Sequence, residues 1–314
     1  MSAGRRQPTG TRLNARKWYS YKLFLMILPF MALVFLFSYF PLHGWAYAFF
    51  DYRPPFQLSD CEFVGFKWFV SLISNASKRK QIVQVLINTF AMSGLGILFS
   101  WLPMAFAILL SEIKSAPYKK TVQTITTLPH FISWVLVYSL AFSLLASSGA
   151  VNRMAIDLGL YEKPILFLQD KDNVYWTMWL LHTWKGTGWS AIMYIAAIAG
   201  IDQELYEAAS IDGADRFQKM WHITVPGLLG TYFVLLMIDI GHILSNGMEQ
   251  YYVFENAMNH DKIEVLDLFV YNQGISGNNI SYATAVGMFK SVVSLGLLFF
   301  ANNLSKAVRG DSIF

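Results

Sequence analysis

The chain has almost no cysteine. Cys61 stands alone among 314 residues, which excludes an internal disulfide framework and any cysteine-built zinc site. Charge is scarce too, at 14% of residues, where a soluble domain carries about 25%. No lysine follows a glycine, so the Gly-Lys-Ser/Thr phosphate loop is missing and the chain does not supply an ATP site by that route. A His-Glu-x-x-His zinc motif is absent, and no serine stands in a nucleophile-elbow context. With no paired acids or metal ligands in a recognisable pattern, a membrane-embedded enzyme is the weakest of the available readings. No internal repeat or low-complexity linker divides the chain, which reads as one integral domain.

What is abundant is apolar sequence, 55% of residues, and its runs are long enough to cross a bilayer. Hydropathy predicts an all-α integral membrane protein with six transmembrane helices. They run over Leu23–Phe40, Ile87–Leu110, Leu128–Ala146, Val174–Gly200, Ile223–Ser245 and Tyr282–Ala301. The first run is too long for a signal-peptide core and no small-residue cleavage site follows it; Pro29 is a tolerated kink. Residues 1–22 form a basic arm, with Arg5, Arg6, Arg12, Arg16, Lys17 and Lys22 and no acid. Residues 23–304 form the six-span domain, and residues 305–314 a short tail. Six spans put both ends on one side. With those ends inside, the inner segments hold 13 Lys and Arg against 9 outside, a moderate bias that Lys78-Arg79-Lys80 opposes. The net charge of +4 therefore reflects orientation in a membrane rather than nucleic-acid binding. Three outer stretches, 41–84, 149–172 and 246–282, are candidate surfaces for an external partner or mere connections. The first, with its aromatic residues, is read as lying along the interface, and the last as holding a short helix near Ile263–Tyr271.

Between the fourth and fifth spans lies a polar stretch of about residues 202–226. A loop joining two spans needs only a few residues, so one this long reads as a docking surface. Asp202 is a good N-cap and Glu204 has the right sign for a helix N-terminus. Residues 203–212 contain neither Gly nor Pro, and Gly213 then supplies the left-handed conformation that ends helices. A second helix follows with Ala214, Phe217, Met220 and Trp221 at three- and four-residue spacing, and Pro226 suits the junction with the next span. A DNA-binding helix-turn-helix has a similar Ala209-to-Gly213 spacing, but wedged between two spans it reaches no groove.

Glu207-Ala208-Ala209, then Gly213, Ile223 and Val225-Pro226, resembles the EAA loop of the membrane subunits of binding-protein-dependent ABC importers. Val225 stands where that family more often has Leu. The resemblance implies a type I ABC importer permease whose cytoplasmic coupling helix, with Glu207, Ala208, Ala209, Asp212, Gly213 and Pro226, docks into a cleft of an ATP-hydrolysing subunit. It implies a bacterial inner-membrane location with cytoplasmic termini, which settles the orientation that charge only favours. It also implies the partners: a related second permease chain, two ATPase subunits and an extracytoplasmic solute-binding protein. ATP and Mg then belong to the ATPase subunits, and this chain binds no cofactor of its own.

Polar residues within spans are costly, roughly 2.5–3.5 kcal/mol for a charge at mid-membrane, and usually face a cavity or a partner. The candidates are His182, Lys185, Asp239, His242 and Lys290, with Asn246, Glu249 and Gln250 near the outer end of the fifth span. Trp176, Trp179, Trp184, Trp189 and Tyr194 crowd the fourth. Aromatic faces against sugar C–H surfaces and polar groups at hydroxyls make this set a candidate oligosaccharide path. Competing explanations are interfacial tryptophan belts, a Lys290–Asp239 ion pair, and histidines bonding across helices. Trp184-Lys185-x-x-Gly188-Trp189, Gly247-Met248-Glu249-Gln250, Tyr271-x-x-Gly274 and Tyr282-Ala283-Thr284-Ala285-Val286-Gly287-Met288-Phe289-Lys290-Ser291 look like the branch importing complex polysaccharide fragments, such as rhamnogalacturonan and alginate oligosaccharides. Lys185, Lys290 and two histidines against a lone Asp239 suit an anionic uronic chain, and alginate is the specific expectation. Permeases for peptides, amino acids or ions, and ATP-independent secondary transporters or channels, remain as alternatives.

Overall fold

The computed structural model describes residues 9–309, and among them the chain is helical apart from loops and one isolated bridge between Phe50 and Phe63. The first helix, α1 (Thr9–Val34), runs through a π turn at Phe35–Tyr39 into a 3₁₀ stretch ending at Phe49. Its helical start falls inside the expected basic arm, of which residues 1–8 lie outside the described region. After α2 (Lys67–Ser74), α3 (Ala76–Leu98) and α4 (Leu102–Ser111) make the second span. Then come α5 (Ala116–Thr127), α6 (Trp134–Leu145) and α7 (Ala150–Asp157). The fourth span is α8 (Val174–Ala199), followed by the short α9 (Gln203–Ile211) and α10 (Arg216–Lys219), and then α11 (Val225–Gly241). The outer segment carries α12 (Glu249–Phe254), α13 (His260–Ile263) and α14 (Leu266–Tyr271), and α15 (Ile280–Arg309) closes the fold.

Five stretches of the described chain are long and apolar enough to cross a membrane: Tyr21–Phe49, Ala76–Ser111, Trp134–Asp157, Arg216–Gly241 and Ile280–Asn303. The helix α8, at 26 residues, is about 39 Å long and long enough to be a sixth. Its tryptophans, His182 and Lys185 keep it out of the most apolar group.

Several expected boundaries move, each for a local reason. The second span begins at Ala76 rather than Ile87, because the Asn75 side chain caps α3 by accepting from the Ser77 and Lys78 N–H groups. It is also broken. Phe99–Trp101 interrupt the helix and Pro103 sits in the first turn of α4, where its missing N–H costs nothing. The third span starts at Trp134, not Leu128: residues 128–131 are 3₁₀, Ile132 is extended, and Ser133 caps α6.

Three apolar cores hold the bundle, and α8 borders two of them. Val174 and Met178 pack with Met92, Val137, Tyr251, Phe254 and Ile263, whereas Ala191 and Tyr194 pack with Ala107, Ile108 and Leu228. A third core joins α2, α3, α14 and α15 through Leu72, Val85, Phe269 and Val286. The stretch 246–282, expected as surface or connection, is thus substantially internal: Ile263, Val265, Leu268 and Phe269 are all 0% exposed. Its polar backbone is answered by Asn88, whose amide donates to the carbonyls of Asp261 and Glu264 and whose oxygen accepts from Gln84 and Tyr175. The stretch 149–172 is ordered in the same way around Asn152, which donates to Ala146 and Ile165 and accepts from the Ile165 N–H.

Candidate functional site

A cavity of about 440 Å³ opens between α3, α8, α11 and the outer segment, within the 300–1,000 Å³ range of ligand sites. The broken second span forms one wall. Ser93, Gly96, Phe99, Ser100 and Pro103 all face the cavity, and the interruption falls at that wall. Non-helical backbone at membrane depth is tolerated where it lines a cavity. The Ser100 hydroxyl and the Tyr232 phenol share a hydrogen bond of 3.0 Å that ties the break to α11.

Aromatic rings furnish much of the opposite wall. Trp179 packs against Phe99 with ring centroids 4.5 Å apart, and Trp176 meets Trp179 edge-on. Trp189 stacks on His130 at 4.5 Å with nearly parallel planes. His182, Thr183, Thr187 and Tyr194 complete the α8 face, and Asp239, His242 and Asn246 come from α11 and the turn after it. These polar groups are positioned rather than loose. His242 Nδ1 lies 2.9 Å from the Ile238 carbonyl, and the Asn246 amide donates to Ser93 Oγ at 2.8 Å. Gln250, nearly fully buried, donates to the Met178 carbonyl and meets His182 Nδ1 at 3.2 Å, so it backs the cavity wall without lining it.

The sequence-derived path set therefore divides. Trp189, Asp239, His242 and Asn246 line the cavity, and Gln250 stands behind it. Trp184 and Glu249 are exposed elsewhere. Lys185 donates to the His130 carbonyl at 2.6 Å and lies 5.3 Å from the Trp134 ring centre, outside the lining. Lys290 does not pair with Asp239. It pairs with Asp267 on α14, whose other oxygen accepts from the Gly247 N–H at 2.9 Å. The partner came from α14, a helix that sequence reading placed outside the membrane, so hydropathy gave no reason to choose it. Both side chains are under one-fifth exposed. Lys290→Met is accordingly expected to destabilise the chain by about 2 kcal/mol, because it leaves a largely buried carboxylate uncompensated. The double variant Lys290→Met with Asp267→Asn should recover part of that loss, since Asn still accepts from Gly247. Thermal unfolding in detergent compares the three.

A second candidate site lies at the opposite end of α8. Asp202 caps α9 by accepting from the Glu204 N–H at 3.0 Å, and Gly213 ends the turn with φ +80°. Ala214 N–H reaches back to the Ala209 carbonyl, closing the helix end. Asp215 and Gln218 form a reciprocal capping box on α10. Lys219 donates to Ser210 Oγ, and Tyr206 bonds Thr224 at 2.9 Å, so the two short helices are fixed against one another. Glu207, Ala208, Asp212 and Gly213 are exposed and Ala209 is half-buried. Ile211, at one of the three unspecified positions between Ala209 and Gly213, is 87% exposed.

The second helix does not stop before the span as expected. A π turn at Met220–Thr224 carries α10 directly into α11, with Pro226 in its first turn. The extra residue of that turn shifts the helical phase. Met220 packs inward, whereas Phe217 and Trp221 point outward instead of sharing its face.

Residues 119–310 match the family model described as "Binding-protein-dependent transport system inner membrane component". Protein LplB of Bacillus subtilis (strain 168) is 37% identical, over 100% of this chain and 96% of its own length. The polygalacturonan/rhamnogalacturonan transport system permease protein YteP of the same organism is 39% identical, over 93% of this chain and 90% of its own. Among solved structures, a chain of a bacterial ABC transporter involved in the import of the acidic polysaccharide alginate superposes with a TM-score of 0.82. That chain is 34% identical, covering 95% of this chain and 99% of the other. A chain from a bacterial alginate ABC transporter in complex with an alginate pentasaccharide-bound periplasmic protein gives 0.83 at 34% identity, over 96% and 100% of the two chains.

Proposed function

The chain belongs to the binding-protein-dependent transport system inner membrane components, a multi-pass sugar-importer permease of the type I fold, and on that premise we propose how it works. It forms half of a translocation path for acidic polysaccharide fragments, and the α9–α10 loop couples that path to an ATPase. The observation that carries the reading is the cavity itself, which joins aromatic faces (Phe99, Trp179, Trp189) to hydrogen-bonding groups (Asp239, His242, Asn246) beside a broken span. Apolar ring faces suit the C–H surface of a pyranose, and the polar groups suit its hydroxyls.

A second, related permease chain closes the path. Two ATPase subunits bind ATP and Mg and dock on the exposed surface of α9, where Glu207 meets a basic group. An extracytoplasmic binding protein delivers the sugar. The termini then face the cytoplasm. ATP draws the ATPase subunits together, the coupling helices transmit that motion, and the cavity alternates between outward and inward access; the chain itself performs no catalysis.

The uronic-acid preference draws support from the substrates named for the relatives rather than from lysines, since neither Lys185 nor Lys290 lines the cavity. Competition measured in reconstituted vesicles tests the preference. Alginate or galacturonate oligosaccharides are expected to block uptake of a labelled uronic oligomer at least tenfold more effectively than neutral glucans of equal length. Equal competition by neutral glucans would remove the acidic assignment and leave the importer assignment standing.

A further inference from the structure

Away from the cavity, the outer segment gathers Glu255, His260 and Glu264, whose nitrogen and oxygen atoms lie within 4.8 Å of one another. Glu255 follows the end of α12, His260 opens α13, and Glu264 follows it. His260 Nδ1 lies 2.5 Å from Glu255 Oε1. A carboxylate at that nitrogen holds the ring proton there, which leaves the lone pair on Nε2. Nε2 in turn faces Oε2 of Glu264 at 3.8 Å. While the ring is neutral two acceptors confront one another, and only a second ring proton joins them as an ion pair.

Glu264 sharpens the conflict. Its side chain is only 7% exposed, and Asn272 donates to its other oxygen, Oε1, at 3.1 Å. Apart from His260, which is positive only when protonated, that carboxylate has one neutral donor, a costly state while the ring is neutral. We infer that a divalent transition-metal ion binds between Nε2 of His260 and Oε2 of Glu264, with Glu255 orienting the imidazole from behind.

The geometry is close to that required. Metal–ligand bonds of about 2.0–2.2 Å at a tetrahedral angle separate two ligand atoms by about 3.4 Å, so the observed 3.8 Å closes with a small side-chain shift. At 2.5 Å, His260 Nδ1 and Glu255 Oε1 are too close together to share one ion. Their contact is instead the carboxylate–histidine pair that fixes a metal-binding tautomer. His260 is half-exposed, which leaves room for water at the remaining positions. A mixed imidazole and carboxylate set suits zinc-like ions better than magnesium or calcium.

A proton competes for the same place. Metal binding therefore weakens as the pH falls and the ring charges.

The test uses the full chain, purified in detergent with a histidine-free affinity tag, stripped by chelator, and titrated with zinc chloride by calorimetry at pH 7.5 and pH 5.5. One zinc per chain is expected at pH 7.5, with weaker binding at pH 5.5. His260→Ala and Glu264→Gln should each weaken binding at least tenfold, and Glu255→Gln by about tenfold. Excess magnesium should not displace the zinc, and zinc should raise the thermal midpoint of the unmodified chain but not of His260→Gln, a milder variant that tests the site should His260→Ala fail to fold. No saturable binding to the unmodified chain, or full binding retained in either His260 variant, overturns the inference.

Discussion

Gly213→Val is expected to abolish oligosaccharide uptake while the chain still inserts and folds. Gly213 sits at φ +80° with open space where a Cβ would project. The substitution therefore meets no steric clash, and its penalty is one of backbone conformation. A β-branched residue resists the left-handed region, at about 1–3 kcal/mol, and the turn relaxes by rotating α9 against α10. The bonds from Lys219 to Ser210 and between Tyr206 and Thr224 tie that rotation to the start of α11. Uptake in vesicles should fall by more than tenfold, with yield retained and the thermal midpoint lowered by no more than a few degrees. Gly213→Asn is the control, because asparagine visits the left-handed region readily, and it should retain most uptake. Full uptake by the valine variant would mean that the loop's shape does not matter to transport.

Gly188 gives the largest expected effect on stability. A Cβ there would lie 2.1 Å from the Thr126 carbonyl oxygen and 2.9 Å from the Thr127 nitrogen. Both are backbone atoms, so no side chain can swing aside. The Cα of α8 touches the end of α5, and even Gly188→Ala must push the two helices apart. A loss of about 3 kcal/mol is expected, at the upper end for overpacking, visible as a lower thermal midpoint in detergent. Two residues away, Gly186 lines the cavity with nothing within 4 Å of its would-be Cβ. Gly186→Ala should be neutral or mildly stabilising, since alanine is the better helix former. If the two alanine variants behave alike, the close α5–α8 packing is wrong.

Much of the architecture was legible because it rests on local chemistry. Asp202 caps and Gly213 turns for reasons contained within a few residues, and both stand where spacing put them, whereas Pro226 lies in a helix that runs on from α10 without a junction. The apolar runs likewise report the spans, since burial in lipid acts on each helix separately. What hydropathy could not report is pairing. Lys290 finds Asp267 and Asn88 holds Asp261 and Glu264 across 173 and 176 positions, contacts that exist only after helices meet. The burial of Leu268 and Phe269 was hidden for a related reason. The outer segment 246–282 is polar on average, although the apolar residues of α14 within it face inward. The break at Phe99–Trp101 did leave a signal. Pro103 marks the first turn of a new helix, and Ser100 is polar within an otherwise apolar run. A continuous hydropathy window averages both away. That break and the α8 aromatics together build the cavity wall, so the site was legible as a composition but not as a shape.

This chain is expected to move sugar only as part of an ATP-driven assembly. Co-reconstituting it with its second permease, the ATPase subunits and a sugar-loaded binding protein in vesicles, and measuring labelled oligosaccharide uptake with and without ATP, decides this. Uptake should require ATP and every partner, and ATP hydrolysis should rise when the loaded binding protein is added. A chain that moves the sugar alone, at the same rate without ATP, would not be an ATP-coupled permease.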